Sequence, residues 1–188
     1  MAVTKIPKAN SPYMGAFRMT QTQHSNHDGY DLVGLDSKEI HATFTGKVKY
    51  AGWENASNHA QGFGQYVCIE FFYAPMSKTL YAYFGHLSVI KVKTGQSVKV
   101  TEVIGIEGST GNSTGSHCHY CIRPQFSQGN ALSLASISGI PNALGDYDDC
   151  YRQGSSTNTS TTTTPAKKTI EVELKQNGVT YAGTLTEK

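Results

Sequence analysis

The segment 115–121, with the sequence G-S-H-C-H-Y-C, places two histidines one residue apart. On an extended strand the side chains alternate between two faces, so His117 and His119 project from one side and Cys118 from the other. Two imidazoles on the same side of a strand can bind one metal ion. The spacing therefore indicates part of a metal site.

A second cluster, H-D-G-Y-D, places His27 and Asp31 four residues apart. In an extended conformation both side chains lie on one face, and Gly29 keeps the space between them open. Two imidazoles and a carboxylate, held about 2.0–2.2 Å from the ion, form a three-ligand zinc site whose fourth position is left for water. The two clusters supply these groups and one spare histidine. An open fourth position is typical of a catalytic zinc site.

Each motif has a less specific interpretation when it is taken alone. An H-x-H on a strand is more often structural than catalytic. Residues 108–116 resemble a phosphate-binding loop, but no lysine follows the final glycine, so we interpret them as a turn. We expect His24 on the face opposite His27, at the surface or behind a ligand. We expect His41 and His59 at solvent or at a sheet edge.

The cysteines have two competing interpretations. Cys118 and Cys121 form a C-x-x-C, which alone could indicate a redox pair or half of a structural zinc site. There is no second C-x-x-C in the chain. Strand parity directs Cys118 into the core and Cys121 toward the histidine side, so the two are poorly placed to form a disulfide. We expect free thiols, with the role of Cys121 open.

Length and composition limit the classes of protein. A chain of 188 residues accommodates one well-cored domain with an appendage. The net charge of +2 and the absence of a basic stripe argue against nucleic-acid binding, although a mildly basic surface tolerates an anionic polymer such as a bacterial wall. The sequence contains no apolar run of about 18 residues, so it predicts no membrane-spanning helix. The first residues also lack the apolar stretch of a secretory signal. We expect a soluble monomer, made in a cytosol or already processed.

Short segments rich in β-branched and aromatic residues predict an all-β protein, an antiparallel sheet or sandwich. The predicted strands are 15–20, 40–52 with a turn or bulge at Gly46, 66–72, 79–84, 89–92, 98–106 and 117–122. One short helix is predicted within 130–138, capped by Gly139 and followed by Pro141.

The organisation of the chain follows from composition. We expect a catalytic domain over residues 1–150 and a linker over 151–168, where serine and threonine dominate. Residues 169–188 alternate apolar and polar side chains around Asn177-Gly178, which predicts a β-hairpin. This tail is either the start of a truncated second module or a hairpin that needs a partner.

Three motifs in a fixed order resemble the lysostaphin-type (LytM-like) zinc metallopeptidases, a family of peptidoglycan endopeptidases. They are H-x-x-x-D at His27 and Asp31, an aromatic-x-H-L-S segment around His86, and G-S-T-G-x-S-T-G-x-H-x-H at 108–119. The likeness runs from about Phe17 to Arg123. Three ordered motifs are far more specific than any one alone. Two departures are Cys118 and Cys121, where relatives commonly have a leucine and an acidic residue.

The resemblance implies one Zn²⁺ per chain, with His27, Asp31 and His119 as ligands. It places His117 and His86 at the reacting centre without binding metal, and which of them is the principal base stays open. It also implies an antiparallel sheet with an open groove for a peptide. We expect groove walls from the aromatic residues Tyr81, Tyr83, Trp53 and Tyr66, and close approach of the substrate to the loop at Gly115.

The function expected from these residues is zinc-dependent hydrolysis of peptide bonds in bacterial peptidoglycan, in cross-links or stem peptides. Such a lysin acts on the cell wall, either outside the cell or after release from a host cytoplasm. The alternative is a peptidoglycan-binding or regulatory module that keeps the fold without cleaving. A more distant alternative is a closed structural metal site with His24 or the cysteines as additional ligands.

Overall fold

A computed structural model describes residues 3–6, 9–127, 130–149, 169–176 and 179–186. The chain divides into two compact units, Met1–Thr157 and Asn158–Lys188. The linker expected over 151–168 and the turn expected at Asn177-Gly178 lie outside the described residues.

The regular secondary structure described in the first unit is mostly β-strand, as the short β-rich segments predict. The strands are β1 Thr4–Lys5, β2 Ala16–Gln21, β3 Tyr30–Gly34, β4 Glu39–His41, β5 Gly46–Trp53, β6 Gln65–Tyr73, β7 Lys78–Gly85, β8 Val89–Ile90, β9 Ser97–Val98, β10 Val103–Ile106, β11 Cys118–Arg123 and β12 Gly145–Asp148. One short α-helix, α1 Leu134–Ser138, ends at Gly139, whose φ of 75° forms the left-handed cap predicted for this glycine. A single 3-10 turn covers Ala74–Met76, between β6 and β7.

The strands form a nine-stranded sheet in the order β1-β12-β2-β3-β11-β7-β6-β5-β9 and a three-stranded sheet in the order β4-β10-β8. All pairs in the two sheets are antiparallel except β1 and β12, which run parallel. The all-β class is therefore confirmed, with a mixed rather than purely antiparallel large sheet. In the second unit, β13 Thr169–Gln176 and β14 Val179–Thr186 pair antiparallel as the predicted hairpin strands.

One core joins the two sheets and excludes water from the strands that carry the histidines. Ile40 and Ile104 of the small sheet belong to the same buried cluster as Leu32, Phe84 and Tyr120 of the large sheet. A smaller cluster on the other face contains Tyr66, Cys68, Tyr83 and Cys121. Burial of these apolar side chains on both faces is what holds the central strands in place.

The structure corrects several boundaries. Residues 40–52 and 98–106 each contain two strands rather than one, and the second of these segments is broken at Thr101, whose φ is 74°. His41 lies in the edge strand β4, but it is buried, because the N-terminal segment crosses this edge and Pro12 O accepts its N–H at 2.8 Å.

The described cysteines and the described helices agree with two further expectations. Cys68, Cys118 and Cys121 are free thiols, as predicted, and Cys118 packs in the main core. Among the described residues, no helix is long and apolar enough to cross a membrane.

Candidate metal centre

The pairing of β3 with β11 brings the two sequence clusters together. Asp31 and His119 are directly opposite each other in this antiparallel pair, although 88 residues separate them in the chain. Opposite residues of neighbouring strands share one face of the sheet with adjacent side chains. As a result, Asp31 Oδ1 lies 2.9 Å from His119 Nδ1.

His27 reaches the same carboxylate from a turn. It forms a β-bridge with His24 around Ser25-Asn26, so the segment before β3 is not extended as the sequence suggested. Nevertheless, His27 Nε2 lies 3.1 Å from Asp31 Oδ1. The ligand atoms of His27, Asp31 and His119 all lie within 4.8 Å of one another.

The far nitrogen of each of these histidines has its own partner. His27 Nδ1 lies 2.9 Å from Thr22 O, a carbonyl that can only accept a hydrogen bond. His119 Nε2 lies 3.1 Å from Asp28 Oδ1. These contacts leave Nε2 of His27 and Nδ1 of His119 directed at Asp31. Outer hydrogen bonds of this kind are what orient histidines in metal sites.

The electrostatics of the cluster favour a cation. Burial opposes ionisation of Asp31, but hydrogen bonds from His119 and His27 outweigh it and hold the pKa of this carboxyl well below its usual range. Burial likewise opposes the charged form of His119, yet contacts with Asp28 and Asp31 raise its pKa well above the usual value. The site is therefore a carboxylate that attracts positive charge, with two imidazoles able to exchange protons for a metal ion.

Two further histidines flank the cluster. The rings of His86 and His117 lie 4.6 Å apart, and His117 Nε2 lies 3.5 Å from Asp31 Oδ1. His86 Nδ1 contacts Thr110 O at 2.7 Å, and His117 Nδ1 contacts Gly115 O at 2.8 Å. Because a carbonyl oxygen only accepts, each Nδ1 carries a proton, and in the neutral ring Nε2 is then a free base.

His86 is held in a strained position as a neutral imidazole. Its φ of 62° is uncommon for a residue other than glycine, and its N–H donates to Phe63 O at 2.7 Å. Burial, together with the neighbouring His117 and His119, lowers the pKa of His86 to about 4. Nε2 of His86 is thus unprotonated at neutral pH.

The loop before β11 is fixed by a buried carboxylate. Glu107 Oε1 accepts hydrogen bonds from Ser116 Oγ at 2.7 Å and Lys38 Nζ at 2.9 Å. Its Oε2 accepts from Tyr13 Oη at 2.6 Å and from Gly34 N at 2.8 Å. Since Ser116 precedes His117 directly, this network anchors the position of that histidine.

A cavity of about 470 Å³ opens over the cluster. It is lined by Gln21, His27, Asp28, Asp31, Glu54, Gly62, Phe63, His86, Asn112, Ser113, Thr114, His117, His119 and Arg123. The five histidine and aspartate residues predicted to act on substrate or metal are all among these residues.

The residues expected to contact substrate are placed differently. Tyr83 is only 2% exposed and Tyr66 only 7%, because both lie in the smaller buried cluster. Tyr81, Trp53 and Gly115 are also not among the residues that line the cavity. The wall is formed instead by the loops 54–64 and 108–117, where Gly111 N donates to His59 O at 3.0 Å and Asn112 N to Gly62 O at 2.9 Å.

The remaining histidines stay outside the cluster. His24 is exposed at the surface, as expected, and its Nε2 lies 3.4 Å from Gln21 Nε2. His59 is exposed in its loop, and its ring stacks on Trp53 with the centroids 3.6 Å apart.

Sequence reasoning missed Asp28 and Arg123. Asp28 contacts His119, and Arg123 contacts Asp28, so both belong to the surroundings of the site. Adjacency of Asp28 to His27 was a signal, but strand parity would turn Asp28 away from the cluster. Cys121 is fully buried on the histidine side of β11, as parity predicted.

Fold and site together define an all-β domain with a candidate metal centre of two histidines and an aspartate beside a cavity, and the comparisons with known proteins identify its family. Residues 25–132 match the model of Peptidase family M23. The chain belongs to this family.

Relatives of known sequence share this region. The DD-carboxypeptidase/endopeptidase Mpg of Neisseria meningitidis serogroup B is 33% identical over 130 residues, which is 68% of this chain and 27% of Mpg. The glycyl-glycine endopeptidase ALE-1 of Staphylococcus capitis is 34% identical over 95 residues, 50% of this chain and 24% of that protein. The chain thus spans about a quarter of the length of these relatives.

Two solved structures support the fold. The catalytic domain of lysostaphin from Staphylococcus simulans is 26% identical, with a TM-score of 0.51 over 68% of this chain and 93% of that domain. A mutant catalytic domain of the prophage-encoded M23 protein EnpA from Enterococcus faecalis is 26% identical, with a TM-score of 0.53 over 66% of this chain and 94% of that domain.

Proposed function

We propose that this protein is a zinc-dependent endopeptidase that hydrolyses peptide bonds in bacterial peptidoglycan. The observation that carries the proposal is the convergence of His27 Nε2, Asp31 Oδ1 and His119 Nδ1 at a cavity that also holds two non-ligand histidines. Names of the relatives, which include a glycyl-glycine endopeptidase and a DD-carboxypeptidase/endopeptidase, support a cell-wall peptide as the substrate.

The donor set fits zinc. Two imidazoles and one carboxylate are a known catalytic zinc set, and both imidazoles have outer partners that fix their orientation. Zinc bound there supplies Lewis-acid polarisation of the scissile carbonyl and acidifies a water molecule. The residues His27, Asp31 and His119 are proposed to hold it.

His117 and His86 are proposed to handle the proton. His117 accepts a proton from the attacking water at Nε2, since its Nδ1–H is committed to Gly115 O, and later gives a proton to the leaving amine. His86 has an unprotonated Nε2 and an Nδ1–H committed to Thr110 O, so it can accept a hydrogen bond from the water. Donation to an oxyanion would require a protonated His86, which its low pKa disfavours.

The proposal includes a role for each segment of the chain. We assign catalysis to residues 1–150, a linker role to 151–168 and a hairpin to 169–188, and we propose that the active form is a monomer. The proposed place of action is the cell wall, because peptidoglycan is the proposed substrate.

Purified walls provide the test. Treatment with a chelator should stop wall clearing, and zinc should restore it, whereas equal clearing in chelator would contradict the proposal. Mass spectrometry of fragments released from walls with different cross-bridges then identifies the bond. Binding to walls without any released fragment would instead indicate a non-catalytic binding module.

A further inference from the structure

Asp28 links one proposed zinc ligand to an arginine. Its Oδ1 lies 3.1 Å from His119 Nε2, and its Oδ2 accepts from Arg123 Nη2 at 2.6 Å and from Arg123 Nε at 3.2 Å. Both carboxylate oxygens are therefore used, since Oδ1 contacts the histidine and Oδ2 accepts from two guanidinium nitrogens. Partners on both oxygens, one of them charged, hold the orientation of the carboxylate as well as its distance.

Arg123 is itself held by the sheet. Its guanidinium carbon lies 5.4 Å from the ring centroid of Phe63 and 5.1 Å from that of Tyr83. Contacts with aromatic faces restrict a long side chain that would otherwise be mobile. This gives Tyr83, which is buried, a place under the arginine rather than against substrate.

The backbone at Gly29 packs closely against the Nε2 side of the His119 ring. A Cβ at Gly29 would lie 2.6 Å from His119 Nε2, so the backbone next to Asp28 already touches the ring. With Nε2 donating to Asp28, the nitrogen that faces Asp31 is Nδ1.

We propose that Asp28, held by Arg123, is a positioning residue that makes His119 bind zinc through Nδ1. The inference rests on the proposed zinc site. Asp28 acts through the histidine and touches neither substrate nor the ion.

A competing arrangement uses the same residues. Ligand atoms of Asp28, His119 and Cys121 also lie within 4.8 Å of one another and could hold an ion on the Nε2 side of the ring. In that arrangement the Asp28 carboxylate would serve the ion, although Arg123 already occupies Oδ2. We favour the positioning role because both oxygens of Asp28 already have a partner, Arg123 at Oδ2 and His119 Nε2 at Oδ1.

The test compares Asp28→Asn with Asp146→Asn. Asp146 also accepts from two nitrogens of one arginine, Arg18 Nε at 2.6 Å and Arg18 Nη2 at 2.9 Å, and it lies in β12 away from the cavity. Zinc affinity is measured by competition with a chromophoric chelator. We expect Asp28→Asn to lose about 10- to 100-fold in affinity, as outer partners of metal ligands do, while Asp146→Asn binds zinc as the unchanged chain does.

Two spectroscopic readings separate positioning from folding and from direct ligation. In the unchanged chain with zinc bound, ¹⁵N NMR should place the remaining imidazole proton of His119 on Nε2. Cobalt in place of zinc should lack the thiolate-to-metal absorption that Cys121 ligation would produce. A proton on Nδ1, or that absorption, would overturn the inference even if Asp28→Asn failed to fold.

The outcomes also separate this inference from the proposed function. If the unchanged chain binds no zinc, the zinc site itself is refuted and the positioning role with it. If the unchanged chain binds zinc and Asp28→Asn binds it equally well, only the role of Asp28 is refuted.

Discussion

Replacing Gly29 with alanine should damage the site through a single added carbon. The new Cβ would lie 2.6 Å from His119 Nε2 and 2.6 Å from the backbone oxygen of Tyr120, where ordinary contact begins at 3.4 Å. Tyr120 O belongs to β11, which is paired on both sides, so the backbone there cannot easily retreat. The movement must therefore fall on His119 and on the turn before β3.

The expected size of the effect follows from overpacking. Forcing an added methyl group into a packed site costs about 1–3 kcal/mol. For a unit of this size that corresponds to a fall in melting temperature of roughly 2–12 °C. Displacement of His119 should also weaken zinc binding by about 10- to 100-fold, the usual cost of disturbing a metal ligand's support.

Gly115→Ala is the matched control. Gly115 lies in the loop before β11, and a Cβ there would meet nothing within 4 Å. Thermal unfolding followed by circular dichroism and zinc competition measure both variants. The reasoning is refuted if Gly29→Ala melts and binds zinc as Gly115→Ala does.

Three more predictions use other parts of the site. His117→Ala should keep its zinc but digest walls about 10²- to 10⁴-fold more slowly, because the substitution removes a proton carrier and leaves the three metal ligands in place. Metal analysis and dye release from labelled walls measure the two properties. Loss of the zinc would contradict the assignment of His117 as a residue that does not bind the metal. Glu107→Gln should reduce the loss of unfolding free energy that the unchanged protein shows at acid pH. Burial opposes ionisation of Glu107, but the hydrogen bonds that it accepts from Ser116 and other groups lower its pKa in the folded state. The stabilisation by Glu107 is therefore present above the unfolded pKa and disappears as the pH falls through the folded pKa. Urea unfolding between pH 3 and 7 measures it, and parallel curves for the two proteins would argue against the network. Zinc affinity should fall as the solution is acidified below neutrality. Despite burial, contacts with carboxylates raise the pKa of His27 and that of His119, so protons compete with the metal for their nitrogens. A zinc affinity that is independent of pH would exclude these two ligands.

Local patterns predicted those parts of the fold that depend on neighbouring residues. The β-branched and aromatic runs at β6 and β7 and the glycine that ends α1 are of this kind, since propensity and a left-handed cap act within a few residues. The β-branched residues of 98–106 predict one strand. A turn at Thr101 divides this segment, where Glu102 N donates to Lys99 O at 3.1 Å, and the β-branched pattern does not reveal it.

The arrangement of the site depends on contacts between residues that are far apart in the sequence. Spacing and the family motifs indicated His27, Asp31 and His119, but the alignment of Asp31 with His119 comes from pairing between distant strands, which periodicity does not encode. Asp28 was missed because parity assumes an extended segment, and the turn at 25–26 rotates its side chain toward His119. The parallel pairing of β1 with β12 likewise has no local signal.

The separation of Asp31 from His119 by 88 residues has a consequence for folding. Of the three proposed ligands, only His27 and Asp31 are close together in the sequence, so an unfolded chain can bring just these two to an ion without forming a long loop. The complete three-ligand site forms only when β3 pairs with β11. Such pairings between distant strands form late in folding, because the long loop between the strands must close first. We therefore expect zinc to slow unfolding of the finished domain while leaving the rate of refolding nearly unchanged.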